Sequence, residues 1–250
     1  MSHPLLVIPA RMASIRLPGK PLAMIGDAPM IVQVWRRAME AKLGPVIVAC
    51  AEPEIAAAIR SAGGEAMMTK PDHPSGSDRI FEAVSIFDPE GRHDVIVNVQ
   101  GDLPLIDPKA IQASLLPLAE PSVDIATLAA PIHDAAERQS PNVVKIAAGF
   151  APGAQIARAL YFSREAVPHG AGSHYHHIGL YAYRREALAR FVKLAPSVLE
   201  KRESLEQLRA LDAGMRIDVA LVDSVPFGVD TPDDLARARD LMAARFQTKS

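Results

Sequence analysis

LLVIPARMASIRLPGKPL, residues 5–22, joins an uninterrupted apolar run to a cationic loop. Residues 8–22 hold three prolines, one glycine and three cations, Arg11, Arg16 and Lys20, and no acid follows until Asp27. The run at 5–9 does not alternate, so it reads as a strand covered on both faces, as in a parallel sheet. In open sheets of that kind ligands sit beyond the carboxyl ends of the strands, which is where these cations fall. Proline and glycine stiffen such a loop, and its charges suit an anion. On charge alone a solvated loop fits equally well.

Further apolar runs occur at 46–50, 94–99, 125–130, 143–147, 157–162, 178–183 and 217–222. Helical spacing lies between the early ones: Ile31, Val34, Trp35 and Ala38, then Ile55, Ala58, Ile59 and Ala62, with Gly63-Gly64 as a stop. Strand alternating with helix predicts right-handed βαβ units. After about residue 120 the strands follow one another more closely, which predicts an antiparallel part in a mixed sheet. The expected fold is α/β, a mixed, mainly parallel sheet flanked by helices, in a single domain spanning 1–250.

Composition limits the function. The 250 residues are 49% hydrophobic with a net charge of -2, which argues against general nucleic-acid binding. The single cysteine, Cys50, excludes an internal disulfide and fits a reducing compartment. With no apolar run of 18 residues and no charged leader, membrane insertion and secretion are not expected, and the chain reads as cytoplasmic.

Two phosphate motifs are excluded. Proline follows the lysine of LPGKPL where a P-loop needs Ser or Thr, and no GxGxxG follows the first strand. In VIVNVQGDLPLI (95–106) a buried strand ends in Gln100, Gly101 and Asp102, an aspartate placed either to hold Mg²⁺ or to cap a turn. In PFGVDTPDDL (226–235) Asp230 offers a second carboxylate, or merely part of a helix cap. Thr231 is the N-cap candidate there and Pro232 the first helical residue.

His174, His176 and His177 crowd SHYHHIGLYAYR, but no acid or cysteine pattern completes a zinc site. An imidazole facing a polar substrate is the better reading, with an exposed loop as the alternative for His174 and His176. ESLEQLRALDAGMRI (203–217) is expected as a helix with Leu205, Leu208 and Leu211 on its core stripe, and Glu206 and Gln207 off it.

Taken in order, IPARMASIRLPGKPL, MTKPDHPSGSDRI, VIVNVQGDLPLI, ALYFSR, HIGLYAYR, LEQLR and GVDTPDDL resemble the 3-deoxy-manno-octulosonate (Kdo) cytidylyltransferase family over residues 4 to 242 or so. The resemblance implies a nucleotide-diphospho-sugar transferase-like fold and transfer of CMP from CTP to an acidic eight-carbon sugar, with release of pyrophosphate. It implies a Mg²⁺-dependent, cytoplasmic homodimer that serves lipopolysaccharide synthesis. Its dimerisation and sugar-site portion would lie around 125–215.

By the same resemblance Arg11 and Lys20 hold the triphosphate and Arg16 assists. Pro9 and Ala10 face cytosine, with Arg79 and Gln100 nearby. Asp102 and Asp230 carry the metal, and the four catalytic positions are Arg11, Lys20, Asp102 and Asp230. Arg164, His177, Tyr181, Glu206 and Gln207 match the sugar side. Two acids usual in the family are replaced by Leu103 and Ala51, and the segment 168–175 is short. These departures leave open a modified substrate such as 8-amino Kdo or another ulosonic acid, and a non-catalytic nucleotide-binding regulator.

Overall fold

The structure is a computed structural model that describes residues 2–14 and 16–247. The chain divides into two compact units, Met1–Ile111 with Pro226–Ser250, and Gln112–Val225.

The first unit contains β1 (Pro4–Ala10), the hairpin strands β2 (Met24–Ile25) and β3 (Ala28–Pro29), β4 (Val46–Cys50), β5 (Glu65–Met68) and β6 (Val95–Asn98). Four of these form a parallel sheet in the order β5-β4-β1-β6. Leu5, Leu6, Val7 and Ile8 are all fully buried, as an apolar run without alternation requires. The helices α1 (Met30–Glu40), α2 (Pro53–Ser61) and α3 (Gly76–Phe87) alternate with the strands. α4 (Pro108–Ala113) carries the chain into the second unit.

The second unit holds β7 (Ile125–Ile132), β8 (Lys145–Ala148), β9 (Ile156–Ser163), β10 (His174–Arg184) and β11 (Ile217–Leu221). Among these only β7 and β11 run parallel. β10 with β7, β11 with β9 and β9 with β8 are antiparallel, and a bridge from His176 to Lys145 joins β8 to β10. The helices α5 (Ala135–Gln139), α6 (Arg185–Phe191), α7 (Val198–Glu203) and α8 (Leu208–Asp212) are short. The long α9 (Pro232–Gln247) belongs to the first unit.

Every apolar run identified in the sequence is a strand. β5 and the β2–β3 hairpin lacked a signal because β5 is a sheet edge with half its residues exposed and the hairpin strands have two residues each. The single helix expected over 203–217 is corrected. Ser204 takes a left-handed conformation (φ 55°) and ends α7, a turn follows, and α8 begins only at Leu208. The exposed-loop alternative for His174 and His176 is also overturned, because both lie in β10 and His174 is buried.

Candidate active site

β1 ends at Ala10 and the cationic loop begins beside it. Gly19 has φ +70°, a left-handed turn that glycine adopts without the Cβ penalty, and Lys20 follows in a short 3-10 turn (Lys20–Leu22). β6 leads into Gln100-Gly101-Asp102. A Cβ on Gly101 would lie 2.7 Å from the Pro9 carbonyl oxygen, so this turn packs against β1 only with glycine there.

The Asp102 carbonyl accepts from the Val229 N–H at 3.0 Å, which ties the turn to the loop before α9. That loop is held from the helix side. Asp234 Oδ2 accepts from the N–H of Asp230 (3.1 Å), the N–H of Thr231 (2.9 Å) and the Thr231 hydroxyl (2.8 Å). The Asp234 N–H donates back to Thr231 Oγ1 at 3.2 Å, so Thr231 is the expected N-cap in a reciprocal cap. Burial works against the Asp234 charge, but these donors hold its carboxyl below the usual carboxylate range.

These segments enclose a pocket of about 660 Å³. Pro9, Ala10, Arg11, Arg16, Lys20, Arg79, Gln100, Asp102 and Asp230 all line it, so every residue expected on the nucleotide side converges in the first unit. The Lys20 ammonium donates to Asp102 Oδ2 and to Asp230 Oδ1, both at 3.0 Å, and Arg16 pairs with Asp230 Oδ2 at 3.0 Å. Burial opposes the Lys20 charge, but the two carboxylates outweigh it and raise its pKa. Two aspartates 128 positions apart therefore meet at one cation, with Arg11 on the same pocket wall.

Arg79 is buried, and its guanidinium donates to Thr69 Oγ1 (2.6 Å), the Lys70 carbonyl (3.1 Å) and the Pro71 carbonyl (3.2 Å). It therefore shapes the loop that brings His73, Ser75 and Gly76 to the pocket, three lining residues that the sequence reading did not single out. They lie in the stretch MTKPDHPSGSDRI, from which only Arg79 had been named as a candidate. Leu103 is 9% exposed and faces Gly228, where an added Cβ would sit 3.7 Å from Leu103 Cδ2. An apolar side chain at 103 thus packs behind the aspartate turn.

The sugar-side candidates all lie in the second unit. His177 is buried, its Nε2 is 3.0 Å from Thr127 Oγ1, and desolvation pushes its pKa down to about 3, so the imidazole is neutral. Its ring centroid is 5.6 Å from that of Tyr181. The Tyr181 phenol pKa is raised by burial, then by Tyr183 and Glu206, which places Glu206 in the same electrostatic neighbourhood. Gln207 is buried and its Nε2 has no partner among the described residues. Arg164 at the end of β9 bonds instead to Glu203 and Pro141.

Comparison with known proteins gives this arrangement a family. The sequence profile of the Cytidylyltransferase family matches residues 5–217. A 3-deoxy-manno-octulosonate cytidylyltransferase of Paramagnetospirillum magneticum is 64% identical over 241 residues, covering 96% of this chain and 98% of that protein.

The chain belongs to the 3-deoxy-manno-octulosonate cytidylyltransferase family.

The relative of the same name from Parvibaculum lavamentivorans is 65% identical over 243 residues, with 97% and 94% of the two chains covered. Among solved structures, CMP:2-keto-3-deoxy-manno-octonic acid synthetase complexed with CTP matches with a TM-score of 0.90 at 39% identity, over 98% of this chain and 100% of that one. The α/β architecture expected from the sequence is that of this family. Among the described residues no helix is long and apolar enough to cross a membrane.

Proposed function

We propose that the protein transfers CMP from CTP to the anomeric hydroxyl of Kdo and releases pyrophosphate. The single observation that carries this reading is the Lys20 ammonium 3.0 Å from both Asp102 and Asp230 in a pocket that Arg11 and Arg16 also line. Curated relatives above 60% identity bear the name of this activity.

The sugar oxygen forms a bond to the α-phosphorus, the bond to the β-phosphate oxygen breaks, and pyrophosphate departs in line. Such a displacement needs positioning and charge neutralisation more than covalent chemistry from the protein. Arg11, Arg16 and Lys20 neutralise the triphosphate. Pro9 and Ala10 present backbone groups to the base, with Gln100 beside them and Arg79 ordering the adjoining loop.

The donor set fits Mg²⁺. Two hard carboxylates reach a common positive centre, and Mg²⁺ takes one or two carboxylates together with substrate phosphate oxygens. Asp102 and Asp230 would hold the ion, and when bound it supplies charge stabilisation at the phosphates. On the sugar side Arg164 meets the carboxylate, while His177, Tyr181, Glu206 and Gln207 meet hydroxyls. The neutral imidazole of His177 suits a hydroxyl partner.

The burial of Leu103 accounts for an apolar residue at that position without a change of substrate. The use of CTP in lipopolysaccharide synthesis that the family resemblance implies supports a cytoplasmic enzyme. The outward face of β9 exposes Ile156 (39%) and Leu160 (66%), which supports a homodimer through this surface. Light scattering is expected to give twice the 26.8 kDa chain mass.

The reading is tested by pyrophosphate release from CTP with Mg²⁺ and a panel of eight- and nine-carbon acidic sugars. Kdo is expected to give the highest kcat/KM. Release with no sugar in the panel, or preference for 8-amino Kdo, overturns it.

A further inference from the structure

Glu203 closes α7, and its half-buried carboxylate gathers donors from the end of β9. The Ser163 hydroxyl donates to Oε1 at 3.0 Å, the Arg164 N–H to Oε2 at 2.9 Å, and the Tyr161 hydroxyl to Oε1 at 3.4 Å. The Glu203 carbonyl accepts from Arg164 Nε at 2.8 Å, and Arg164 NH1 donates to the Pro141 carbonyl at 3.0 Å.

The other side of the Arg164 backbone is fixed as well. The fully buried Lys145 donates its ammonium to the Arg164 carbonyl and to the carbonyls of Ser140 (2.8 Å) and Val143 (2.7 Å). Burial, then the charge and hydrogen bond of Glu203, raise the Tyr161 phenol pKa, so it stays a donor to the carboxylate.

The consequence lies in what the Arg164 guanidinium lacks. Its Nε and NH1 are anchored by neutral carbonyls, NH2 has no partner, and it makes no ion pair among the described residues. The nearby carboxylate is turned to two hydroxyls and a main-chain N–H, and it makes no hydrogen bond to the guanidinium. A guanidinium held by two bonds has already lost most of its rotamer entropy, which lowers the cost of binding a carboxylate.

We propose that Glu203 is a positioning residue for the acidic sugar: it holds Arg164 with a free guanidinium edge presented to the substrate carboxylate. This rests on the reading that Arg164 takes that carboxylate, and the two are separable by experiment.

Steady-state kinetics of Glu203→Gln, Arg164→Met and the double variant are measured with Kdo and CTP varied independently. Glu203→Gln is expected to raise KM for Kdo about tenfold, the scale of one charge-assisted bond, with kcat and KM for CTP within about twofold of the parent. Arg164→Met is expected to raise KM for Kdo at least as much, and the double variant to be no worse than Arg164→Met alone.

An unchanged KM for Kdo in Glu203→Gln, with Arg164→Met impaired, overturns the positioning role. An unchanged KM in Arg164→Met overturns the sugar-site reading itself. Additive effects, or kcat and both KM values shifting together with the melting temperature, make Glu203 a fold residue only and also overturn the proposal. If Glu203→Gln does not fold, Ser163→Ala removes one donor to the same carboxylate and is expected to raise KM for Kdo about twofold to threefold. No change there overturns the proposal.

Discussion

Lys20 of the first unit and Arg164 of the second are held in opposite ways. In the first, Lys20, Arg16, Asp102 and Asp230 bond to one another on the wall of a pocket, and Arg16 and Asp230 are largely exposed. In the second, Arg164 and Lys145 bond to backbone carbonyls, and His177 is buried against Thr127. The exposed Arg16–Asp230 pair exchanges its partner for an incoming phosphate or cation at modest cost, because water already screens it. A cation anchored by carbonyls keeps its full charge and its direction before substrate arrives. On the proposed function the first arrangement serves a polyanion that brings its own countercharge, and the second a single carboxylate among hydroxyls.

The largest effect expected from breaking this contrast is in the first unit. Asp102→Ala is expected to lower kcat by about 10² to 10³, the scale for losing one preorganised electrostatic partner, while the circular dichroism spectrum and melting temperature stay near the parent's. Asp102 sits in a turn and is a third exposed, so its loss opens no core cavity. Near-normal turnover in this variant would remove Asp102 from the reaction centre.

The second unit is expected to respond to pH through stability. His177 has a folded pKa of about 3, below the value near 6.5 of an unfolded histidine. Between those values the unfolded state binds the extra proton, so stability rises with pH there. This contribution is complete above about 6.5 and is lost progressively as pH falls toward 3. Urea melts from pH 6.5 to 5 are expected to show a loss of about 2 kcal/mol that His177→Gln abolishes. An equal pH slope in parent and variant would contradict a buried neutral imidazole.

A smaller effect is expected where α9 holds the loop that carries Asp230. Asp234→Ala removes the acceptor for two N–H groups and one hydroxyl, and is expected to cost about 1–2 kcal/mol of stability in chemical denaturation. A several-fold fall in kcat is expected with it, because Asp230 loses its anchor. The smallest effect belongs to an ion pair away from the pocket. Arg36→Ala breaks an exposed pair with Asp27 and is expected to change stability by less than about 0.5 kcal/mol and kcat not at all. A large effect on kcat there would mean that surface charge in general, and not the pocket constellation, governs turnover.

The two units were also unequally legible. In the first, the runs at 5–9, 46–50 and 94–99 announced buried parallel strands because their consecutive apolar residues, 5–8, 46–50 and 95–97, are covered on both faces, a condition written locally in the side chains. The loops after them carried charge, proline and glycine, and all nine nucleotide-side candidates line one pocket. In the second unit the strands were legible but the break at Ser204 was not, since serine is no helix stop signal and its left-handed conformation (φ 55°) is not written in its neighbours. Glu203 and Lys145 gave no signal either, because their partners are main-chain atoms and hydroxyls whose positions depend on the folded chain.

The sequence by itself determined the alternation of strand and helix, the cationic loop after the first strand, the cap that starts α9 and the family. These rest on side-chain periodicity, turn chemistry and motif order, which are properties of neighbouring residues. Only the tertiary structure decided that Lys20 bridges Asp102 and Asp230, that Leu103 is a packing residue, and that Arg164 is bonded to Glu203 and to the Pro141 carbonyl. Each depends on the distance between segments remote along the chain, set by the packing of strands and loops rather than by any local pattern.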